Sequence, residues 1–138
     1  MGLMKRPCRS HCPIAFALDI FGDKWSLLVL RDLLFMGKRR YREFLASEEG
    51  ISTNILADRL RRLEAEGLMT KSRDRKSRRQ YVYTPTRKGL GLLPVILEIV
   101  RWSARYDPKT AAPASFVRRL WHDRENLMRE ILAKFEAS

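Results

Sequence analysis

At 138 residues the chain has the length of one ordinary domain and can bury a real core. Hydrophobic content of 45% beside 32% charged residues excludes wholesale disorder, and a net charge of +12 favours a polyanionic partner, nucleic acid before an acidic membrane surface. No apolar run reaches the roughly 18–20 residues that a bilayer span needs, so no membrane crossing is expected.

Residues 1–12 read as a basic arm, with Lys5, Arg6 and Arg9 and no acid. The arm lacks the long apolar stretch of a signal peptide. Cys8 and Cys12 are too few and too close for a disulfide framework, which points to a reducing, cytoplasmic compartment. From Pro13, tolerated in a first helical turn, a helix is expected through Ile14, Leu18 and Phe21, ending at Gly22. Asp23 can cap a second helix carrying Trp25, Leu28, Val29, Leu33 and Leu34 and closing at Gly37. It is apolar on more than one face and therefore central to the core. After Lys38-Arg39-Arg40 comes a short helix, Tyr41 to about Ala46, with Phe44 and Leu45 inward. The following Ser47-Glu48-Glu49-Gly50 reads as a solvated turn, which explains the paired carboxylates better than catalysis does.

The next stretch has both a start and a stop signal. Ser52 can accept from an unpaired N–H of the first turn, Ile51 and Leu56 can pack across the cap, and Gly67 tolerates the left-handed conformation of a helix end. Leu56, Leu60 and Leu63 repeat at helical spacing, leaving Thr53, Asn54, Asp58, Arg61 and Arg62 to the opposite, polar side. Two short helices joined by a tight turn, the second with a polar front, form the helix-turn-helix arrangement.

After Gly67 the period changes to that of strands, at Leu68–Lys71 and Gln80–Pro85. Between them lies the basic segment Ser72–Arg79. From Lys71 to Lys88 eight Lys or Arg face one Asp, so more than half of the net charge is concentrated there. A basic hairpin directly after a helix-turn-helix is the wing of a winged helix, placed along the DNA backbone or minor groove. Thr86 can cap a further helix from Arg87 to about Tyr106, kinked or restarted at Pro94. That helix is too apolar for a small domain to cover alone, which suggests a second copy as its cover. Residues 107–115 read as a linker, and Ser115 can cap a final helix to about Ala137, used for dimerisation or self-packing.

Cys12-Pro13, Gly22-Asp23-Lys24-Trp25, Arg40-Tyr41-Arg42-Glu43-Phe44, Gly50-Ile51-Ser52, Leu60-Arg61, Leu63-Glu64, Gly67-Leu68, the Tyr83-Thr84 to Lys88-Gly89 junction, Leu93-Pro94 and Trp102 are jointly distinctive. With them the chain resembles the HxlR-type regulators of bacteria and archaea, relatives of the MarR winged helices, over about Cys12 to Tyr106. The resemblance implies a homodimeric winged helix-turn-helix, mainly α with a small β-hairpin (α+β), whose N- and C-terminal helices form the dimer and which represses or activates transcription. Three departures stand out: the wing from Arg73 to Arg79 is unusually basic, Arg62 replaces a common acid, and the last helix runs past the end of many members. The resemblance also matches Cys12 to a cysteine that some members use to sense electrophiles or oxidants. A helix N-terminus and nearby Arg9 would favour its thiolate, with Cys8 as a resolving partner. The alternative is a semi-buried structural residue. Cys8, His11 and Cys12 are too crowded for a tetrahedral metal site, and neither a metal nor a cofactor is expected.

The expected organisation is therefore a basic arm (1–12), a winged helix-turn-helix domain (13–106), a linker (107–115) and a C-terminal helix (116–138). The expected function is regulation of transcription by a homodimer on a pseudo-palindromic duplex operator, without enzymatic activity or membrane association, and with a small-molecule or oxidant effector. Thr53, Asn54, Asp58 and Arg61 would face base edges, with Arg61 the strongest candidate for a bidentate guanine contact and Arg62 beside it. Arg40, Ser52, Arg73, Arg75, Lys76, Arg78 and Arg79 would hold phosphates. The rival readings are a winged helix that grips an acidic protein partner and a cysteine-based redox protein.

Overall fold

A computed structural model describes residues 9–136, so Cys8 and most of the basic arm lie outside the described residues. The chain forms two compact units, one reaching Gly89 and the other starting at Leu90. Among the described residues no helix is long and apolar enough to cross a membrane.

In the first unit α1 (Pro13–Phe21) starts at the expected proline and buries none of its residues. α2 (Ser26–Leu34) is the centre of the core through Val29, Leu30, Leu33 and Leu34. Its start is organised by Asp23, whose carboxylate accepts from the backbone N–H groups of Trp25 and Ser26 at 2.9 and 3.0 Å and from the Ser26 hydroxyl. α3 (Tyr41–Leu45) turns Phe44 fully inward and leaves Leu45 half-buried. Glu43 reaches back to accept from the backbone N–H groups of Arg39 and Arg40 at 2.8 and 3.0 Å, satisfying two donors at the helix start. α4 (Thr53–Ala65) runs between the expected signals. Ser52 accepts from Ile55 N–H at 3.3 Å, Leu56, Leu60 and Leu63 are buried, and Gly67 adopts φ +77°.

The turn before α4 departs from expectation. Glu49 is not merely solvated: Arg31 donates to both of its oxygens at 2.8 and 2.9 Å and also to Asp32 at 2.8 Å. Asp32, almost wholly buried, accepts in addition from the Ser47 hydroxyl and lies 3.5 Å from Lys38 Nζ. The α3–α4 turn is thus tied to α2 by charge-assisted bonds, which its acidic, glycine-ended sequence does not announce.

The hairpin pairs β1 (Met69–Arg73) with β2 (Tyr81–Pro85) antiparallel, with Lys71 opposite Tyr83 and Arg73 opposite Tyr81. β1 begins one residue later than expected and runs two residues further into the basic segment. The extension is held by Asp74 N–H donating to Gln80 C=O at 2.9 Å. Tyr83 packs edge-on against Phe44, ring centres 6.1 Å apart, anchoring the hairpin to the helical core. After it α5 (Arg87–Leu90) begins. A Cβ on Gly89 would lie 2.0 Å from Leu68 C=O, so only glycine permits this return of the chain.

The second unit contains α6 (Leu93–Tyr106), α7 (Ala114–His122) and α8 (Arg124–Glu136), with α7 packed on both neighbours. The restart expected at Pro94 occurs, the proline standing in the first turn of α6. α6 packs with the C-terminal helices in this unit. One expectation is corrected. The final helix is two helices, not one. Asp123 leaves helical geometry at φ −149° and ψ 37°, and its side chain accepts from Arg119 at 2.8 Å and Asn126 at 2.9 Å. An aspartate that can cap the next helix is a ready place to break one. Arg119 also donates to Glu130 at 2.8 and 2.7 Å, closing the pair of helices.

Candidate nucleic-acid interface

Burial of Leu56, Leu60 and Leu63 fixes the rotation of α4, and its other side carries the expected polar set. Thr53 and Asn54 are exposed in the first turn. Arg61 and Arg62 follow two turns later with side chains 60% and 63% exposed. Asp58 is not an isolated acid. It pairs with Arg59, approaches Arg61 at 3.8 Å, and takes Arg62 Nε at 3.1 Å. A guanidinium held through Nε keeps its two terminal nitrogens free, the edge that a bidentate acceptor such as guanine requires.

Arg59, absent from the sequence-based site, contributes differently. Its Nε donates to Asp23 at 2.8 Å, tying α4 to the start of α2. Burial alone would push the Asp23 carboxyl up. The Ser26 hydroxyl, the Arg59 guanidinium and two backbone N–H groups outweigh it and hold the group at about 2. No local signal joins residues 36 apart, so the pair was invisible in the sequence.

The wing is held by polar links. Arg40 donates to Asp74 through two nitrogens at 3.0 and 2.7 Å, so its guanidinium is engaged within the protein. Asp74, the lone acid of the hairpin, is only 8% exposed and also accepts from Lys76 N–H at 3.0 Å, shaping the turn. That backbone donor, with Arg40, holds its carboxyl below the usual range. Arg39 accepts from Tyr83 N–H at 2.8 Å and returns side-chain bonds of 3.0 Å each to Tyr83 C=O and the Thr84 hydroxyl. The 39–40 segment thereby covers the outer edge of β2. Arg73 donates to Arg78 C=O at 2.6 Å and lies 5.0 Å from the Tyr81 ring centre, with Lys71 Nζ at 4.6 Å. Arg40 and Arg73 therefore brace the wing. The side chains of Arg75, Lys76, Arg78 and Arg79 form no hydrogen bond or ion pair among the described residues.

Cys12 lies exposed at the N-cap of α1, not semi-buried. Backbone N–H groups of Ala15 and Ile14 lower its thiol pKa. Arg9, expected to assist, is instead paired with Asp19 at 2.7 Å. Among the described residues no cluster of three or more His, Cys, Asp or Glu side chains could hold a metal ion.

Comparison with known proteins agrees with this architecture. The curated relative sll1512 of Synechocystis sp. (strain ATCC 27184 / PCC 6803 / Kazusa), named an HTH-type transcriptional regulator, is 37% identical over 86 residues. The match covers 62% of this chain and 63% of sll1512, so the similarity spans somewhat under two thirds of that relative's length. The crystal structure of PA1607 superposes with a TM-score of 0.68 at 37% identity, covering 76% of this chain and 73% of that one. The redox regulator HypR in its oxidized form gives 0.58 at 30% identity, over 68% and 96% of the two chains. The HxlR-like helix-turn-helix profile matches residues 20–111. With its winged-helix geometry and most of its length matched, the chain belongs to the HxlR-like helix-turn-helix family of transcriptional regulators.

Proposed function

We propose that the protein regulates transcription as a homodimer, with α4 in the major groove of a pseudo-palindromic operator and the wing along the backbone or minor groove. The observation that carries this reading is the division of α4. One side is locked into the core by three leucines, and the other presents Thr53, Asn54 and two exposed arginines buttressed by Asp58. Arg61 and Arg62 are the guanine readers in this assignment, and Ser52, Arg75, Lys76, Arg78 and Arg79 hold phosphates. Dimerisation is supported by apolar surface on each unit. On α6, Val95, Ile99, Trp102 and Tyr106 form an exposed stripe at helical spacing, with Trp102 64% exposed. On α1, Ile14 and Leu18 are exposed one turn apart.

An oxidant or electrophile acting at Cys12 is the proposed effector, supported by the exposed thiol, its lowered pKa and the likeness to HypR. Cys8 as resolving partner lies outside the described residues. Selection from a random duplex pool tests the whole reading. An inverted repeat with half-sites about 10 bp apart is expected, bound by two chains and released after mild thiol oxidation of the wild type but not of Cys12→Ser. Recovery of no preferred sequence would overturn it.

A further inference from the structure

Between the start of α3 and strand β2 the first unit has a trough of about 330 Å³, lined by Tyr41 and Arg42 on one side and Arg79, Gln80 and Tyr81 on the other, with Tyr83 also contributing. Its volume falls in the range of binding clefts, roughly 300–1,000 Å³. No carboxylate lines it. Arg40, at its wall, is already neutralised by Asp74. The side chains of Arg42 and Arg79 form no hydrogen bond or ion pair among the described residues, so two positive charges face an otherwise uncharged trough.

Its aromatic walls are fixed. Tyr41 donates to Thr53 C=O at 3.1 Å, binding the trough to the first turn of α4. Tyr81 extends the apolar alternation of β2 beyond the core and is held by Lys71 and Arg73. Two guanidiniums without hydrogen-bond partners, an amide and two phenol rings suit an anion attached to a flat, partly apolar body. The trough adjoins both the reading helix and the wing, which makes the duplex backbone the fitting occupant rather than a free small anion.

Resting on the DNA-binding reading above, we propose that this trough seats one sugar-phosphate unit of the operator backbone, its phosphate on Arg42 and Arg79 and its deoxyribose against Tyr81. The contact sets the height of α4 in the groove, because Tyr41 links the same trough to the helix start.

The test combines phosphate-ethylation interference with anisotropy titrations of the selected duplex at several salt concentrations. Wild-type protein is expected to show, among the interfering phosphates of each half-site, one assigned to the trough whose ethylation blocks binding. In Arg42→Gln/Arg79→Gln the interference at that position disappears, and the salt slope falls by roughly 1.8, about 0.9 for the one phosphate lost in each of the two half-sites. Arg118→Gln/Lys134→Gln, with the same charge loss in the second unit, keeps both signals. Tyr81→Ala weakens binding to all duplexes, whereas Tyr81→Phe retains it, which separates the ring from its hydroxyl. Far-UV circular dichroism confirms that each variant is folded. An unchanged slope and interference pattern in the arginine pair, while wild type still selects its operator, overturns the trough and leaves the DNA-binding reading intact. Failure of wild type to bind any duplex overturns both.

Discussion

α4 and the wing adjoin one another, yet they are held in place by opposite means. α4 is fixed by three buried leucines, a serine cap and a left-handed glycine, all encoded within its own stretch. The wing has little apolar anchorage beyond Met69, Tyr83 and Pro85, and is positioned by Arg39 and Arg40, distant in sequence, the latter bound to the wing's own Asp74. The difference teaches where each element is vulnerable. Apolar burial withstands salt, whereas exposed and half-exposed charge pairs are screened by it. α4 is seated chiefly by apolar burial, and the wing chiefly by polar links to the 39–40 segment together with the Tyr83–Phe44 contact.

Substitutions in α4 carry the largest expected effects. Leu60→Ala should lower unfolding free energy by about 2–5 kcal/mol, the usual range for a truncated buried leucine, as read by urea denaturation. A loss below about 0.5 kcal/mol would mean that α4 is not seated as described. Arg61→Ala leaves the fold intact and should remove about 1–3 kcal/mol of discrimination at one base pair of each half-site. Titration of single-base operator variants measures that, and an equal loss on every sequence would reassign Arg61 to the backbone. Ser52→Ala removes the cap of α4 and should cost about 1 kcal/mol of stability by thermal unfolding.

On the wing side, Arg75→Gln should weaken specific and random duplexes alike and reduce the operator salt slope by roughly 1.8, about 0.9 for the phosphate lost in each half-site, without any change in melting temperature. A selective loss on the operator would show that the wing reads bases. The smallest effect is read in the acid limb of the stability profile. The Arg31 guanidinium holds Glu49 down from its usual 4.5 to about 2, and Asp23 is likewise held down from 3.8 to about 2. Both folded values lie below the unfolded ones, so the stability they contribute is complete above about pH 4.5 and drains away as pH falls toward 2. Acid titration of Arg31→Gln should show a shallower decline in that window than wild type. Parallel declines would remove the Arg31–Glu49 pair from the account.

The sequence by itself determined the order and type of nearly every element in the first unit, because caps, glycines and apolar periods act within a few residues. It also placed the polar front of α4 and the charge of the hairpin, since both follow from spacing and composition. What it could not place were partners joined only by the fold. Arg40 pairs with Asp74, Glu49 is bridged to Arg31 rather than merely solvated, and Arg59 and Tyr81 carry contacts that no local pattern marks. The break at Asp123 was missed for a related reason: a helical period continues across it, and only the packing of α7 and α8 selects the capped turn. Local free-energy terms are written in neighbouring residues. The pairing of charges across 18, 34 or 36 positions is decided only when the packed core brings their backbones together.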